Sequence, residues 1–468
     1  MNSNNNPNVV IVGGGLAGCE AAWQCLQQGL VVELLEMRPQ MRSPAHNTDR
    51  LAELVCSNTF KSQSPDSAPG QLKIEMEGLD SLVIRAAKAS AVPAGQALGV
   101  DREIFSTFVE AALDSFSTFR RRCVHFDSIP TQDELSASNS ALIIASGPLT
   151  SDPLALELRR VIGGDLRLYF YDAIAPVIAA DSIDFDHCFF ANRYEDHSTD
   201  YLNIPLNKEQ YEQFIDAIVA ADKMPLHEFE STPYFESCLP IEVMVERGRE
   251  TPRFGPMKPV GLTDPKTNRW PHAVIQLRRE NLEGSIYSMV GFQTKMKYPA
   301  QESVFRSLPA LKHAEFFRLG SVHRNTYIEG PKVLGEDLSL RVSPNIFLAG
   351  QITGVEGYTE SAAMGLLAGR AASARLQSTS FRMPPKQTMI GALKHYVTDG
   401  CLGPFQPMNA NLGLLPQIKR QKGVSKLEKK QQQCRAAHRE FEAYMSQSSL
   451  SAVSQGRIDN RDEILSLQ

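Results

Sequence analysis

Val9-Val10-Ile11-Val12-Gly13-Gly14-Gly15-Leu16-Ala17-Gly18 is the stretch on which the fold of this 468-residue chain turns. Its first four residues are apolar and β-branched, as in a strand buried on both faces of a parallel sheet. The next six fit G-x-G-x-x-G. Downstream, Leu16, Cys19, Ala22, Trp23 and Leu26 recur at three- and four-residue spacing, which predicts a helix that Gly29 is placed to end. A second apolar strand, 31–35, then runs into Glu36. Each part has a mechanical task. Gly13 permits the tight turn, Gly15 lets the backbone approach a pyrophosphate, and Gly18 allows close helix–strand packing. The N–H groups from Gly14 through Leu16 and Ala17 open the helix toward an anion. Glu36, 18 residues beyond Gly18, stands where a carboxylate meets ribose hydroxyls. The pattern predicts a Rossmann-like dinucleotide-binding domain of α/β class.

Two later segments narrow the dinucleotide to FAD. Residues 141–147, Ala-Leu-Ile-Ile-Ala-Ser-Gly, form another buried strand ending at Gly147. Residues 345–350, Asn-Ile-Phe-Leu-Ala-Gly, form a third, followed by a glycine-containing turn from Gln351 to Gly357 and a small-residue helix over 361–372. A strand–glycine–helix unit returning so late in the chain is how many flavoproteins complete the flavin site, its helix N-terminus facing the reduced ring. Tyr358, just past the turn, is a candidate to stack on the flavin. The chain has no second G-x-G-x-x-G for a separate nicotinamide domain.

Composition sets the outer limits. Hydrophobic content of 42% and charged content of 22% are those of a globular protein. No apolar run approaches the roughly 20 residues of a membrane helix, and the first eight residues lack a signal-peptide pattern, so a cytoplasmic enzyme is expected. Eight cysteines without a Cys-x-x-Cys pair suggest neither a disulfide scaffold nor a zinc site, and no metal is expected. The net charge of −5 points to no nucleic acid, but residues 241–300 hold ten Lys/Arg against six acids, and 417–439 hold eight against one. Such runs are commonly solvated helix faces, and they also permit a polyanion site.

Several phrases combine into something more specific. They include Glu36-Met37-Arg38-Pro39, Pro44-Ala45-His46-Asn47, Leu51-Ala52-Glu53-Leu54-Val55-Cys56-Ser57-Asn58, Gly255-Pro256-Met257-Lys258-Pro259, Val290-Gly291-Phe292-Gln293-Thr294 and Gly350-Gln351-Ile352-Thr353-Gly354-Val355-Glu356-Gly357-Tyr358. From about residue 8 to about 416 the chain closely resembles the bacterial folate- and FAD-dependent tRNA (uracil-5-)-methyltransferases, the TrmFO family. The resemblance implies methylation of carbon 5 of the T-loop uridine, position 54 in tRNA numbering. Methylenetetrahydrofolate would give the carbon and NAD(P)H the electrons, through FAD. It implies tRNA and folate as partners, and no obligate protein partner or membrane. Gly13, Gly14, Gly15, Leu16, Ala17, Gly18, Glu36, Arg38, Gly147, Gly350, Gln351, Gly357 and Tyr358 are the expected cofactor-binding residues.

The same resemblance points to two cysteines. Carbon 5 of uracil is a poor nucleophile until a thiolate adds at carbon 6, a case of covalent activation. Cys238, in Phe235-Glu236-Ser237-Cys238, takes the nucleophile role, and Cys56 assists beside the flavin as proton acceptor or protecting partner. Arg50 and Lys61 flank Cys56, while Arg247 and Arg249 follow Cys238; any of them could lower a thiol pKa if close. Cys19 and Cys25 fall on the first helix and read as core. His46 is either a general acid/base or a hydrogen-bonded loop residue.

The expected architecture is a two-dinucleotide-binding-domain type of flavoprotein: residues 1–190 and 318–468 form the FAD-binding domain around an inserted α+β domain, 191–317. The insertion shows a helical run, 208–221, and strands at 273–277 and 286–290; its cations make it the favoured tRNA grip. Two other functions fit the fold: a partner-dependent, MnmG-like flavoprotein modifying the tRNA wobble uridine, and a non-catalytic tRNA-binding module stabilised by FAD.

Overall fold

The structure, a computed structural model, describes residues 8–43, 45–164, 167–173, 175–193, 199–224, 239–400, 405–418 and 425–452. The opening motif folds as β1 (Val9–Val12), α1 (Leu16–Gln27) and β2 (Val32–Glu36). β1 lies inside a six-stranded sheet, parallel to β2 on one side and to Ala141–Ile144 on the other. Phe119–Cys123 extends the sheet beyond β2. Ser343–Leu348 extends it beyond Ala141–Ile144, and the short antiparallel strand Ser339–Leu340 closes that edge. Strand order reverses direction at β1, so a crevice opens at the carboxyl ends of the central strands, where such sheets bind ligands.

Small residues set the closest approach in this unit. The helix Tyr358–Leu376 crosses α1 so tightly that a Cβ on Gly365 would stand 2.2 Å from the Ala17 carbonyl oxygen, and one on Gly369 2.7 Å from that of Ala21. This helix begins at Tyr358, earlier than the 361 expected, because Gly357, at φ +117°, turns the chain directly into it.

A second sheet is antiparallel throughout, in the order Phe189–Phe190, Tyr201–Leu206, Ala273–Arg279, Ile286–Met289, Val177–Ala179, Phe316–Arg318. The expected helix and both expected strands are present, as Lys208–Ala220, Ala273–Arg279 and Ile286–Met289. The strands at 177–179 and 189–190 take this sheet back across the 190/191 boundary read from sequence. Its core, around Phe214, Phe292 and Phe305, is separate from that of the first sheet. Between the units runs a two-stranded ladder, Arg167–Ala173 against Val322–Ile328, by which the chain leaves and returns. Among the described residues no helix is long and apolar enough to cross a membrane.

The basic runs resolve differently. Residues Lys426–Ala452 form one helix that buries Cys434, Ala437, Phe441 and Tyr444 and sets Phe441 against Gly78 of the helix Ala68–Gly78. Lys430, Arg435 and Arg439 lie on its solvated face. In the inserted unit Arg247, Arg249, Lys266 and Arg269 are exposed, but Arg278 and Lys295 are buried, so part of the surplus counted there is internal.

Candidate functional site

A cleft of about 1080 Å³, counted out into open solvent, lies at the carboxyl ends of the first sheet. Gly13, Gly14, Gly15, Leu16 and Ala17 line it, as do Glu36, Gly147, Gly350, Gln351 and Tyr358. Residues far apart in sequence thus meet at one site. Gly13 adopts φ +104°, and a Cβ there would stand 2.5 Å from the Ala145 carbonyl oxygen. A Cβ on Gly18 would fall 1.9 Å from the Gly13 carbonyl oxygen. Gly15 differs: a Cβ there meets nothing within 4 Å, so its missing side chain leaves room for a ligand rather than for the protein.

Two helix N-termini converge on the cleft. Gly15 caps α1 and Gly357 caps Tyr358–Leu376; the first turn of α1 carries no acid, so its dipole favours an anion there, whereas the second helix already holds the buried Glu360 carboxylate in its first turn. The open cradle at Gly15 together with the start of α1 fits a pyrophosphate-bearing dinucleotide such as FAD.

Glu36 is fixed before any ligand arrives. Its Oε2 accepts from Gly14 N–H at 2.8 Å, and Arg38 donates to both carboxylate oxygens at 3.0 and 3.1 Å. Burial pushes the Glu36 carboxyl up, and the Arg38 bonds and charge with the Gly14 N–H outweigh it, holding the group below the ordinary carboxylate range. Arg38 is itself 1% exposed and bridges to Glu53 at 3.0 Å; it orients Glu36 instead of lining the cleft. His46 does line it, its Nδ1 2.6 Å from Ser43 Oγ. Burial and then the Arg38 charge hold its pKa below normal, which fits a neutral, hydrogen-bonded loop histidine.

Cys56 borders this site through its neighbours Val55 and Tyr358, which line the cleft. The Cys56 N–H donates to Tyr358 Oη at 2.7 Å, and the Tyr358 ring lies 5.7 Å from that of Phe60. Burial, then the charge of Cys56, push the Tyr358 hydroxyl well above the ordinary phenol value. The flanking cations suggested by sequence point elsewhere: Lys61 pairs with Glu360 at 2.9 Å and Arg50 with Glu103 at 3.1 Å. Arg102 and Arg318 take their place, each donating to the Cys56 carbonyl at 2.9 Å. Nothing in the local sequence signals either. Cys238 lies outside the described residues. Cys19 and Cys25 are fully buried thiols, pushed up to about 12 by burial, as a core role requires. Among the described residues no group of three or more His, Cys, Asp or Glu could hold a metal ion.

Comparison with known proteins gives a consistent result. The family described as Glucose inhibited division protein A matches residues 8–380. A protein of Geobacter sulfurreducens named methylenetetrahydrofolate–tRNA-(uracil-5-)-methyltransferase TrmFO is 50% identical over 92% of this chain and 96% of its own length. One of the same name from Koribacter versatilis is 46% identical over 95% and 99%. Among solved structures, Aquifex aeolicus GidA in its form II crystal superposes with a TM-score of 0.67 at 15% identity, covering 96% of this chain and 76% of that one. That likeness speaks for the shared fold.

Proposed function

Since the chain belongs to the TrmFO family, within the broader Glucose inhibited division protein A family, we propose that it is a methylenetetrahydrofolate–tRNA-(uracil-5-)-methyltransferase. The observation that carries this is near-complete alignment, at about half identity, with proteins named for that reaction. The finer reading assigns the T-loop uridine at position 54 as target, NAD(P)H as reductant and the cytoplasm as location, with no obligate protein partner.

The chain's own residues divide the work. The N–H groups at the start of α1 take the pyrophosphate, and Glu36, held in place by Arg38 and Gly14, faces the ribose. Gly350, Gln351 and the helix start at Tyr358 close the cleft from the other side. When bound there, FAD reduced by NAD(P)H would supply the two electrons that take a one-carbon unit from the methylene to the methyl level. The Cys238 thiolate adds to carbon 6 of the uracil, making carbon 5 nucleophilic; carbon 5 bonds the one-carbon unit released from tetrahydrofolate, and loss of the carbon 5 proton with departure of the thiolate restores the ring. Cys56, bordering the cleft, assists as proton acceptor or as protecting partner.

An anaerobic assay of the purified chain tests this, with undermodified tRNA, NADPH and labelled methylenetetrahydrofolate. Label in 5-methyluridine is the expected result. A reducible flavin with no label in tRNA would overturn the reading.

A further inference from the structure

The loop carrying Cys56 is gripped from both folded units at once. Beyond their shared bond to the Cys56 carbonyl, Arg318 Nη1 donates to the Val55 carbonyl at 2.9 Å and Arg102 Nη1 donates to that of Leu54. Two guanidinium forks therefore fix three consecutive carbonyls, a task to which their rigid planar donors are suited. Arg102 opens the helix Arg102–Asp114 of the dinucleotide-binding unit, whereas Arg318 ends the edge strand Phe316–Arg318 of the second sheet. Glu280, one residue past Ala273–Arg279, ties the two sides together. It takes Arg102 Nε at 2.6 Å and is 5% exposed. Asn58, two residues after Cys56, closes the circuit: it donates to the Arg279 carbonyl at 3.0 Å and accepts from Arg278 Nε at 2.9 Å.

A tie between units needs no pair of cations this close together. Burial and the Arg102 charge hold the Arg318 guanidinium below its ordinary value, a sign of mutual cost. A negative charge on Cys56 acts in the opposite sense on both guanidinium groups. An ionised Cys56 thiol and the clamp would thus favour each other. The titratable and charged groups around the loop include Arg102 from its helix, Arg318 from the edge strand, Arg278 and Glu280 from the neighbouring strand and its end, and Tyr358 from the helix Tyr358–Leu376.

We propose that Arg318, acting with Arg102, is a positioning residue for the Cys56 thiol, and that it makes the reactivity of this thiol depend on how the second unit is seated against the loop. The functional meaning of this coupling rests on the place of Cys56 in the methyltransferase reading, but the coupling itself can be tested without any turnover.

The experiment is iodoacetamide alkylation of the FAD-loaded full chain, followed peptide by peptide over the thiol titration range. Exposed Cys123 is the internal reference. In Arg318→Met the Cys56 midpoint should rise by about one unit, so that alkylation at neutral pH slows roughly tenfold, with Cys123 unchanged. Arg318→Lys, which keeps charge but not the fork, should fall between variant and parent. Equal Cys56 rates and midpoints in Arg318→Met and parent would overturn the proposal. Should Arg318→Met lose its fold by circular dichroism, Glu280→Gln decides. Freeing Arg102 from its anchor should slow Cys56, whereas an unchanged or faster rate overturns the proposal, because removing an anion alone would only favour the thiolate. Slower alkylation accompanied by full methylation would keep the clamp and overturn the role of Cys56 in the reaction.

Discussion

Replacing Gly15 by Ala separates a ligand cradle from a mere tight turn. Gly15 sits at φ −78°, ψ −172°, extended backbone that alanine adopts freely, and its Cβ would meet nothing within 4 Å. In the cofactor-free chain the change should therefore be neutral or stabilising by ~0.4–1 kcal/mol, through the lost freedom of the unfolded state. With a dinucleotide bound, the added methyl stands where a phosphate oxygen must approach the backbone. Losing one hydrogen bond to a charged group costs about 1.5–3 kcal/mol, which is roughly a 10- to 100-fold weaker FAD Kd. Thermal unfolding of the stripped chain and titration by flavin fluorescence quenching read the two effects separately. Gly18→Ala is the contrasting variant: its Cβ would lie 1.9 Å from the Gly13 carbonyl oxygen, so backbone must move and stability and binding fall together. A Gly15→Ala chain that folds normally and binds FAD as tightly as the parent would refute the assignment of this cradle to the pyrophosphate.

Three further predictions address the surroundings of the site. Tyr358→Phe leaves the half-buried Cys56 N–H without its acceptor and should cost ~1 kcal/mol or somewhat more while FAD is retained; an unchanged urea midpoint would show the bond to be dispensable. Glu75 is buried, accepts from Met389 and Ile390 N–H at 2.9 and 2.7 Å, and is raised by burial from 4.5 to about 7. Its folded form binds a proton more tightly than its unfolded form, so its stabilising contribution is complete below about 4.5 and is lost as pH rises through about 7. Over that window the stability of the parent relative to Glu75→Gln should fall by up to ~3 kcal/mol; a pH-independent difference in urea unfolding would contradict the shift. Arg247→Ala with Arg249→Ala should weaken tRNA binding and flatten its salt dependence by about one or two counterions. An unchanged slope would move the tRNA grip elsewhere, since Arg249 already pairs with Asp216.

The first sheet was legible because its parts obey local rules. Val9–Val12 and Ala141–Ile144 are unbroken apolar runs, as strands covered on both faces must be, and Gly13 and Gly18 each answer a close contact in the fold, while Gly15 faces open space. The edge of the second sheet was less legible. Val177–Ala179 and Phe189–Phe190 are too short to show a period of two, and their partners lie at 286–289, 316–318 and 201–206. Nothing near residue 190 marks the crossing from one core to the other; the crossing is the ladder at 167–173, whose partner strand appears only at 322–328.

The site divides along the same line. Glycines and Glu36 could be read because one segment supplies both turn and acid, whereas the charges at Cys56 come from Arg102 and Arg318, two positions with no shared motif. Arg38 shows why a correct phrase can still mislead: it follows Glu36 closely enough to suggest a ligand contact, but its guanidinium is spent on Glu36 and Glu53. A carboxylate that must stay fixed toward a ribose needs a firm hold on both its oxygens, and burial of Arg38 at 1% exposure makes that hold costly to break. The same logic places Arg102 and Arg318. Both are committed to backbone carbonyls on the Cys56 loop, and what they leave for chemistry is their charge, delivered at a loop that only the joined units can hold in place.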